Sequence, residues 1–269
     1  MTAVIPGSRP AKSNAKAFLK PMWSQSIAAL GILCATVIMG ICIKELLAGF
    51  VSPAVGTAAL VLYTVFVTAP LVMGYIGWLW RATFLPDSAC TEMFLPFSAL
   101  HGYARTVGFV LALAVRLFVA YVVVMLPYAI AHMASSPRFY ELVGGSMPVW
   151  AINIWIFEKF LKVVGIAAFV LLLLRHYLAP VIFVVGGNLT PAESFYLAKE
   201  VGNVSLSAFL QLLWGFLGWA LLSLLALPAL YTFPYFSFSF IFHCRFAISQ
   251  YTFGIKTKTY SYHPMGREL

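Results

Sequence analysis

The chain has 269 residues, 62% of them hydrophobic and 9% charged, with a mean hydropathy of +0.93. A soluble chain carries about 25% charged residues, so this composition excludes a water-soluble globular domain and implies a surface that faces lipid. The net charge of +9 does not point to nucleic acid. The basic residues gather at the chain ends and in loops, where membrane topology accounts for them, and no basic stripe is interleaved with exposed aromatics.

Six spans of ~20 apolar residues would use roughly 120 residues. That fits the length with short loops left over, and no extramembrane stretch is long enough for a second globular domain. In chain order, residues 1–23 read as a basic tail. Arg9, Lys12, Lys16 and Lys20 carry its charge, and Lys12–Lys20 could form a short surface helix. The first span is 24–43. It is longer than the apolar core of a cleavable signal and lacks a clear small-x-small site after it. Lys44 and Glu45 begin a short connection. The second span is 54–80, with Pro70 as a predicted kink and Gly74 and Gly77 as points of close helix approach. Trp78 and Trp80 beside Arg81 resemble an aromatic belt. Residues 81–105 are too short and mixed to cross and read as an interfacial amphipathic segment.

The third span is 107–128 and ends at Pro127. A loop follows, with Arg138, Glu141 and Gly144–Gly145. The fourth apolar region, Trp150 to Val185, is too long for one span. Its least polar part centres a span on 157–177. Thr190-Pro191-Ala192-Glu193 then spells a helix start. Thr190 is placed to cap, Pro191 suits the first helical position, and Glu193 completes a capping box. This predicts a surface helix over 191–201. Spans 209–226 and 231–248 close the membrane domain, with a turn at Pro228, and 251–269 is a polar tail. Phe236, Phe238, Phe240 and Phe242 alternate like a strand, but a lone strand in lipid would leave its backbone unsatisfied, so a helix is expected. The fold class is therefore all-α: a polytopic helical bundle of about six spans. With both ends cytoplasmic, twelve of the 17 Lys and Arg residues lie inside and at most four outside, Arg116 being within the membrane. That bias favours this orientation.

The polar residues inside the spans are the candidate chemistry. An arginine at the centre of a span costs ~2.5–3.5 kcal/mol on insertion scales, so Arg116 should pair inside the bundle or line a wet cavity. Glu158 is its expected partner by depth. Together they form a candidate intramembrane polar site, set against a structural ion pair or a snorkelling arginine. Glu158 and Lys162 stand four apart and read as a local pair. Gly215, Gly218 and Trp219 are expected to set helix packing. The four cysteines, Cys34, Cys42, Cys90 and Cys244, show no C-x-x-C spacing and read as reduced packing residues. His243-Cys244 alone does not make a metal site. There is no G-x-S-x-G, Walker or H-E-x-x-H motif, and no catalytic residue, cofactor or metal is expected.

At the C-terminal third, RHYLAPVIFVVGGNLTPAESFYLAKEV, SAFLQLLWGFLGWALLSLL and FPYFSFSFIFHCRFA resemble a family of bacterial multi-span membrane proteins catalogued as a domain of unknown function. The resemblance is strongest over residues 175–248. It is carried by Tyr177, Ala179, Pro180, Pro191, Phe216, Leu217, Gly218, Trp219, Pro234 and Tyr235, and AKAFLKPMWSQSI is similar to the family's opening. The Phe-rich ending departs from it. The resemblance implies a bacterial plasma-membrane protein and supplies no reaction. The functional expectation is a non-enzymatic scaffold or envelope-associated factor that meets membrane lipid and a membrane protein partner or a second copy of itself. The alternative is a transporter or exporter of a small or lipidic solute with Arg116 in its pathway. A membrane-embedded lipid enzyme is disfavoured by the missing polar constellation.

Overall fold

The buried positions near the N-terminus recur with helical spacing. Ala11, Ala15, Leu19, Met22, Ser26, Ala29 and Leu33 step by four, four, three, four, three and four, which lines one face of a 3.6-residue repeat. In the computed structural model, which describes residues 8–85, 87–144, 149–224 and 226–257, they lie on one unbroken helix, α1 (Ser8–Phe50). Residues 8–23, expected as a basic tail, are thus packed helix. Lys16 and Lys20 remain exposed while the apolar stripe is covered. At about 1.5 Å per residue α1 is roughly 65 Å long, about twice a ~30 Å hydrocarbon core, so only part of it can lie in lipid.

α2 (Pro53–Tyr63) starts at Ser52, whose Oγ accepts from the Val55 N–H at 3.3 Å. It returns along α1, and a Cβ on Gly56 would lie 2.5 Å from the Lys44 carbonyl oxygen. A π-helical turn, Thr64–Thr68, joins it to α3 (Ala69–Ala82). The turn has a local cause. Pro70 has no N–H to give the carbonyl four residues back, which is that of Phe66. The Tyr103 hydroxyl donates to that carbonyl instead, at 2.7 Å.

A 3-10 turn (Cys90–Phe94) and α4 (Leu95–Ser98) lead into α5 (Leu100–Ser135). The sequence ends the third span at Pro127; the helix passes through Pro127 and runs on to Ser135. Next come α6 (Pro137–Val143), α7 (Val149–Arg175), α8 (Ala179–Val185), α9 (Pro191–Trp214), α10 (Leu217–Leu222) and α11 (Ala226–Thr257). α9 continues without a break past 201, where the surface helix was expected to end. The turn expected at Pro228 falls earlier, at Ser223–Leu224. The described residues include no strand, and the phenylalanine alternation lies on α11. The protein is all-helical. Among the described residues, four stretches are long and apolar enough to cross a membrane: Ser8–Phe50, Pro53–Ala82, Leu100–Ser135 and Ile156–Val185.

The chain divides into two compact units. The first comprises Met1–Leu111 and Tyr177–Leu269. In it α11 runs antiparallel to α1. Trp23 meets Tyr231 (ring centroids 5.7 Å apart), while Phe18 meets Phe238 (5.4 Å) and Phe242 (6.0 Å). Trp78 of α3 is fully buried against Phe238, and α8 and α9 pack through Phe109, Phe183 and Phe195. The second unit, Ala112–His176, is the hairpin of α5 and α7. Large apolar side chains such as Phe118, Val123, Phe160 and Val163 stand more than half exposed on it, the surface expected of helices in lipid rather than water.

Candidate functional site

The hairpin register decides the fate of Arg116 and Glu158. His132 faces Glu158, Tyr128 faces Lys162, Met125 faces Gly165 and Tyr121 faces Phe169. Four, three and four steps back along α5 therefore match four, three and four forward along α7, which is antiparallel knobs-into-holes spacing. Continuing five residues brings Arg116 level with Leu174. Glu158 lies level with His132, sixteen residues and about 24 Å of helix away. The expected Arg116–Glu158 pair does not form. Arg116 is exposed, near the end of the apolar run that Arg175 closes.

Glu158 has other partners. It is 2% exposed and sits among Ser135, which donates to Oε2 at 2.8 Å, His132 Nδ1 at 3.1 Å from Oε1, and Lys159 Nζ at 3.2 Å from Oε1. Lys162, its expected partner, instead stands over the Tyr128 ring, 5.8 Å from the centroid. A buried carboxylate needs such partners to remain charged. The cluster fastens the far end of the hairpin, where α5 and α7 both leave the apolar run. His132 and Ser135 were not picked out in the sequence. Their signal was a polar pair three apart on one helix face.

A polar group of the first unit that joins three elements was also not picked out. Tyr177 lies where the chain breaks between α7 and α8. Its hydroxyl is 2.6 Å from Ser205 Oγ on α9 and 3.0 Å from His243 Nε2 on α11. Phe209 stacks on the Tyr177 ring at 3.9 Å, 2° from parallel, and His243 is 1% exposed. The donors can be ordered. Ser205 gives its proton to the Val201 carbonyl at 2.8 Å. Tyr177 must then donate to Ser205, and His243 must donate from Nε2 to Tyr177. The result is one directed chain, His243 to Tyr177 to Ser205 to Val201, which fixes the imidazole tautomer. It ties three elements together at the helix break. Cys244, next to it, is fully buried.

The arginines of this unit hold backbone. Arg105 donates to the Phe183 and Leu189 carbonyls at 3.3 and 3.2 Å and lies over the Phe183 ring. Arg245 donates to the Thr83 carbonyl at 3.1 Å and lies 3.9 Å from the centroid of the Phe84 ring. Arg81 Nε is 3.0 Å from Glu92 Oε2, and its Nη2 donates to the Glu92 carbonyl. Each uses charge-assisted hydrogen bonds to close a turn or loop.

The capping box at Thr190 is present as the sequence spells it. Thr190 Oγ1 accepts from the Glu193 N–H at 3.3 Å, and Glu193 accepts from the Thr190 N–H at 2.8 Å, with Pro191 at the first helical position. The bond from the Thr190 N–H, with a second from the Thr190 hydroxyl at 2.8 Å, holds the Glu193 carboxyl below the usual carboxylate range. Of the expected packing residues, Gly215 is pressed against Lys12, whose ammonium also lies 4.7 Å from the centroid of the Phe216 ring. Trp219 meets Tyr231 at 5.8 Å. Gly218 has open space where a Cβ would go, so it sets no close approach. Gly74 does, since a Cβ there would drive into the Met93 carbonyl. Among the described residues no three metal-ligating side chains come together. Comparison with family models, curated proteins and solved structures finds no match to this chain.

Proposed function

We propose that this chain is a non-enzymatic scaffold or envelope-associated factor of a bacterial plasma membrane, working through contacts with lipid and with a membrane partner. The observation that carries this reading is how its interior polar groups are used. Glu158, Tyr177, His243, Arg105 and Arg245 each bond to backbone or to another fixed side chain, and each thereby joins one helix or loop to another. The bacterial membrane rests on the resemblance at residues 175–248. The two-helix unit, with its broad apolar surface, is the natural element for meeting a partner in lipid.

Both chain ends are read as cytoplasmic, because that orientation keeps twelve of the 17 Lys and Arg residues on one side. Six spans fit less well than four. If 24–43 crosses, Trp23 marks the foot of that crossing. Tyr231 would begin the sixth span on the opposite side, ~30 Å away, yet the two rings are 5.7 Å apart. Four spans, with α8 to α11 gathered at the cytoplasmic foot of α1 and α3, keep the same charge count and satisfy that contact.

Flux measurements separate the scaffold from the transporter. Purified full-length protein in vesicles loaded with a panel of ions, amino acids and sugars should leak no faster than empty vesicles. Solute movement abolished by Arg116→Leu would establish the transporter instead.

A further inference from the structure

We propose that the turn from α9 through α10 to the start of α11 is a re-entrant hairpin. It enters the cytoplasmic leaflet, turns back within it, and packs its tip among lipid acyl chains. This rests on the four-span layout above.

The chain itself sets the stage. From Val201 to Cys244 there is no charged residue, so this stretch carries no ionised side chain into an apolar medium. The tip displays its apolar side chains outward. Leu224 is 85% exposed, with Leu221 and Leu222 at half or more. A group of this kind left in water would be an aggregation site.

Direction and depth follow from the ring contacts. α11 is antiparallel to α1, and going from Phe242 back to Tyr231 climbs α1 from Phe18 to Trp23. Continuing back to Ala226, where α11 begins, climbs further, alongside the apolar run that begins at Ser24. The tip therefore points into the bilayer. It does not cross. Ala226, where α11 begins, is five residues above Tyr231, about 8 Å of rise against a core of ~30 Å. Trp23, Trp219 and Tyr231 form a contacting group at the foot, as aromatic residues do at a membrane interface. Lys12, over Phe216, supplies a cation on the headgroup side.

A second, independent observation is the state of the turn's backbone. Bends in hydrocarbon are tolerated only when their polar groups are satisfied. Here Gly215 N–H donates to the Gln211 carbonyl (3.0 Å), Phe216 to Leu213 (3.0 Å), Ala220 to Phe216 (2.8 Å), Ser223 to Trp219 (2.9 Å) and Leu224 to Leu221 (3.2 Å). The Ser223 hydroxyl, the polar side chain of the tip, is also spent on the Trp219 carbonyl at 2.8 Å. These bonds reduce the number of polar groups that the bend carries into the leaflet.

The test is a nitroxide at Leu224→Cys in full-length protein whose Cys34 and Cys42 are replaced by alanine, reconstituted in phosphatidylcholine–phosphatidylglycerol vesicles. Leu221→Cys serves as a second site, and Ala35→Cys, deep in the apolar run of α1, as the depth reference. All three positions are exposed, so the fold should tolerate the label. At Leu224 and Leu221, collision with dissolved oxygen should exceed collision with a water-soluble nickel chelate several-fold, at a depth shallower than that of the Ala35 label. Free access of the chelate would place the tip in water and overturn the proposal. A depth at or beyond that of Ala35 would also overturn it and restore a crossing fifth span. Neither result depends on whether the protein moves solutes, so failure here and failure of the scaffold reading are told apart.

Discussion

Tyr177 carries the clearest single-residue consequence. Its hydroxyl is the hydrogen-bond partner of His243 Nε2, whereas Ser205 keeps the Val201 carbonyl in any case. Tyr177→Phe should therefore destabilise by about 1–3 kcal/mol, the range for stranding a buried polar group. Ser205→Ala should do less, because the Tyr177 proton can turn to His243 if the imidazole changes tautomer. Thermal unfolding in detergent measures both. Equal losses, or a larger one for Ser205→Ala, would show that the chain of donors does not run as assigned. Glu193 carries a pH effect. Its folded carboxyl titrates below the ordinary range, so folding favours the ionised form. The stabilisation is complete above the unfolded carboxylate pKa and fades as pH falls through the lower, folded one. Glu193→Gln should flatten the acid side of the stability profile, while Thr190→Ala should cost about 1 kcal/mol at neutral pH as a lost N-cap. An unchanged acid limb in Glu193→Gln would remove the cap from the account.

At the scale of the element, the π-helical turn before α3 ties a sequence feature to a partner on another helix. Pro70 frees the Phe66 carbonyl, and Tyr103 of α5 takes it. The two should be coupled. Tyr103→Phe should cost about 1 kcal/mol in the native chain and markedly less with Pro70→Ala, which restores a local N–H donor. A double-mutant cycle showing plain additivity would sink this explanation of the turn. The same example divides what was legible from what was not. The break in regular α-helix beside Pro70 and the box at Thr190, Pro191 and Glu193 are local, set by a few residues' own covalent chemistry, and the sequence marks both places. The partner of each buried polar group depends on how one helix is rotated and shifted on another. Nothing in the spacing reveals that Arg116 lies level with Leu174 and Glu158 with His132. Continuity misled in a similar way. Arg9, Lys12, Lys16 and Lys20 look like a solvated tail because charge dominates composition, yet Ala11, Ala15, Leu19 and Met22 between them already carry the helical stripe that packs.

For the whole molecule, four spans and six spans agree on where the chain ends lie and on which loops face them, so the orientation can be tested apart from the span count. Native Cys90 is a poor reporter, because it is 8% exposed, with its N–H held by Gln25 Oε1 at 3.0 Å. Thr91 and Asn188 are exposed on the loops that the charge bias puts inside, and Arg138 is exposed on the short helix expected outside. Single cysteines at Thr91 and Asn188 should resist an impermeant maleimide added to whole cells and react after the membrane is opened, whereas Arg138→Cys should react at once. The prediction rests on summed charge rather than on any one contact. Insertion follows the Lys and Arg balance of short loops, and here the balance of twelve against at most four is large enough that removing Arg138 alone cannot invert it. Labelling of Thr91→Cys from outside would overturn the orientation. It would also move the hairpin of α9 to α11 to the outer leaflet without disturbing its contacts with α1, since those fix its place on the molecule and not the side of the membrane.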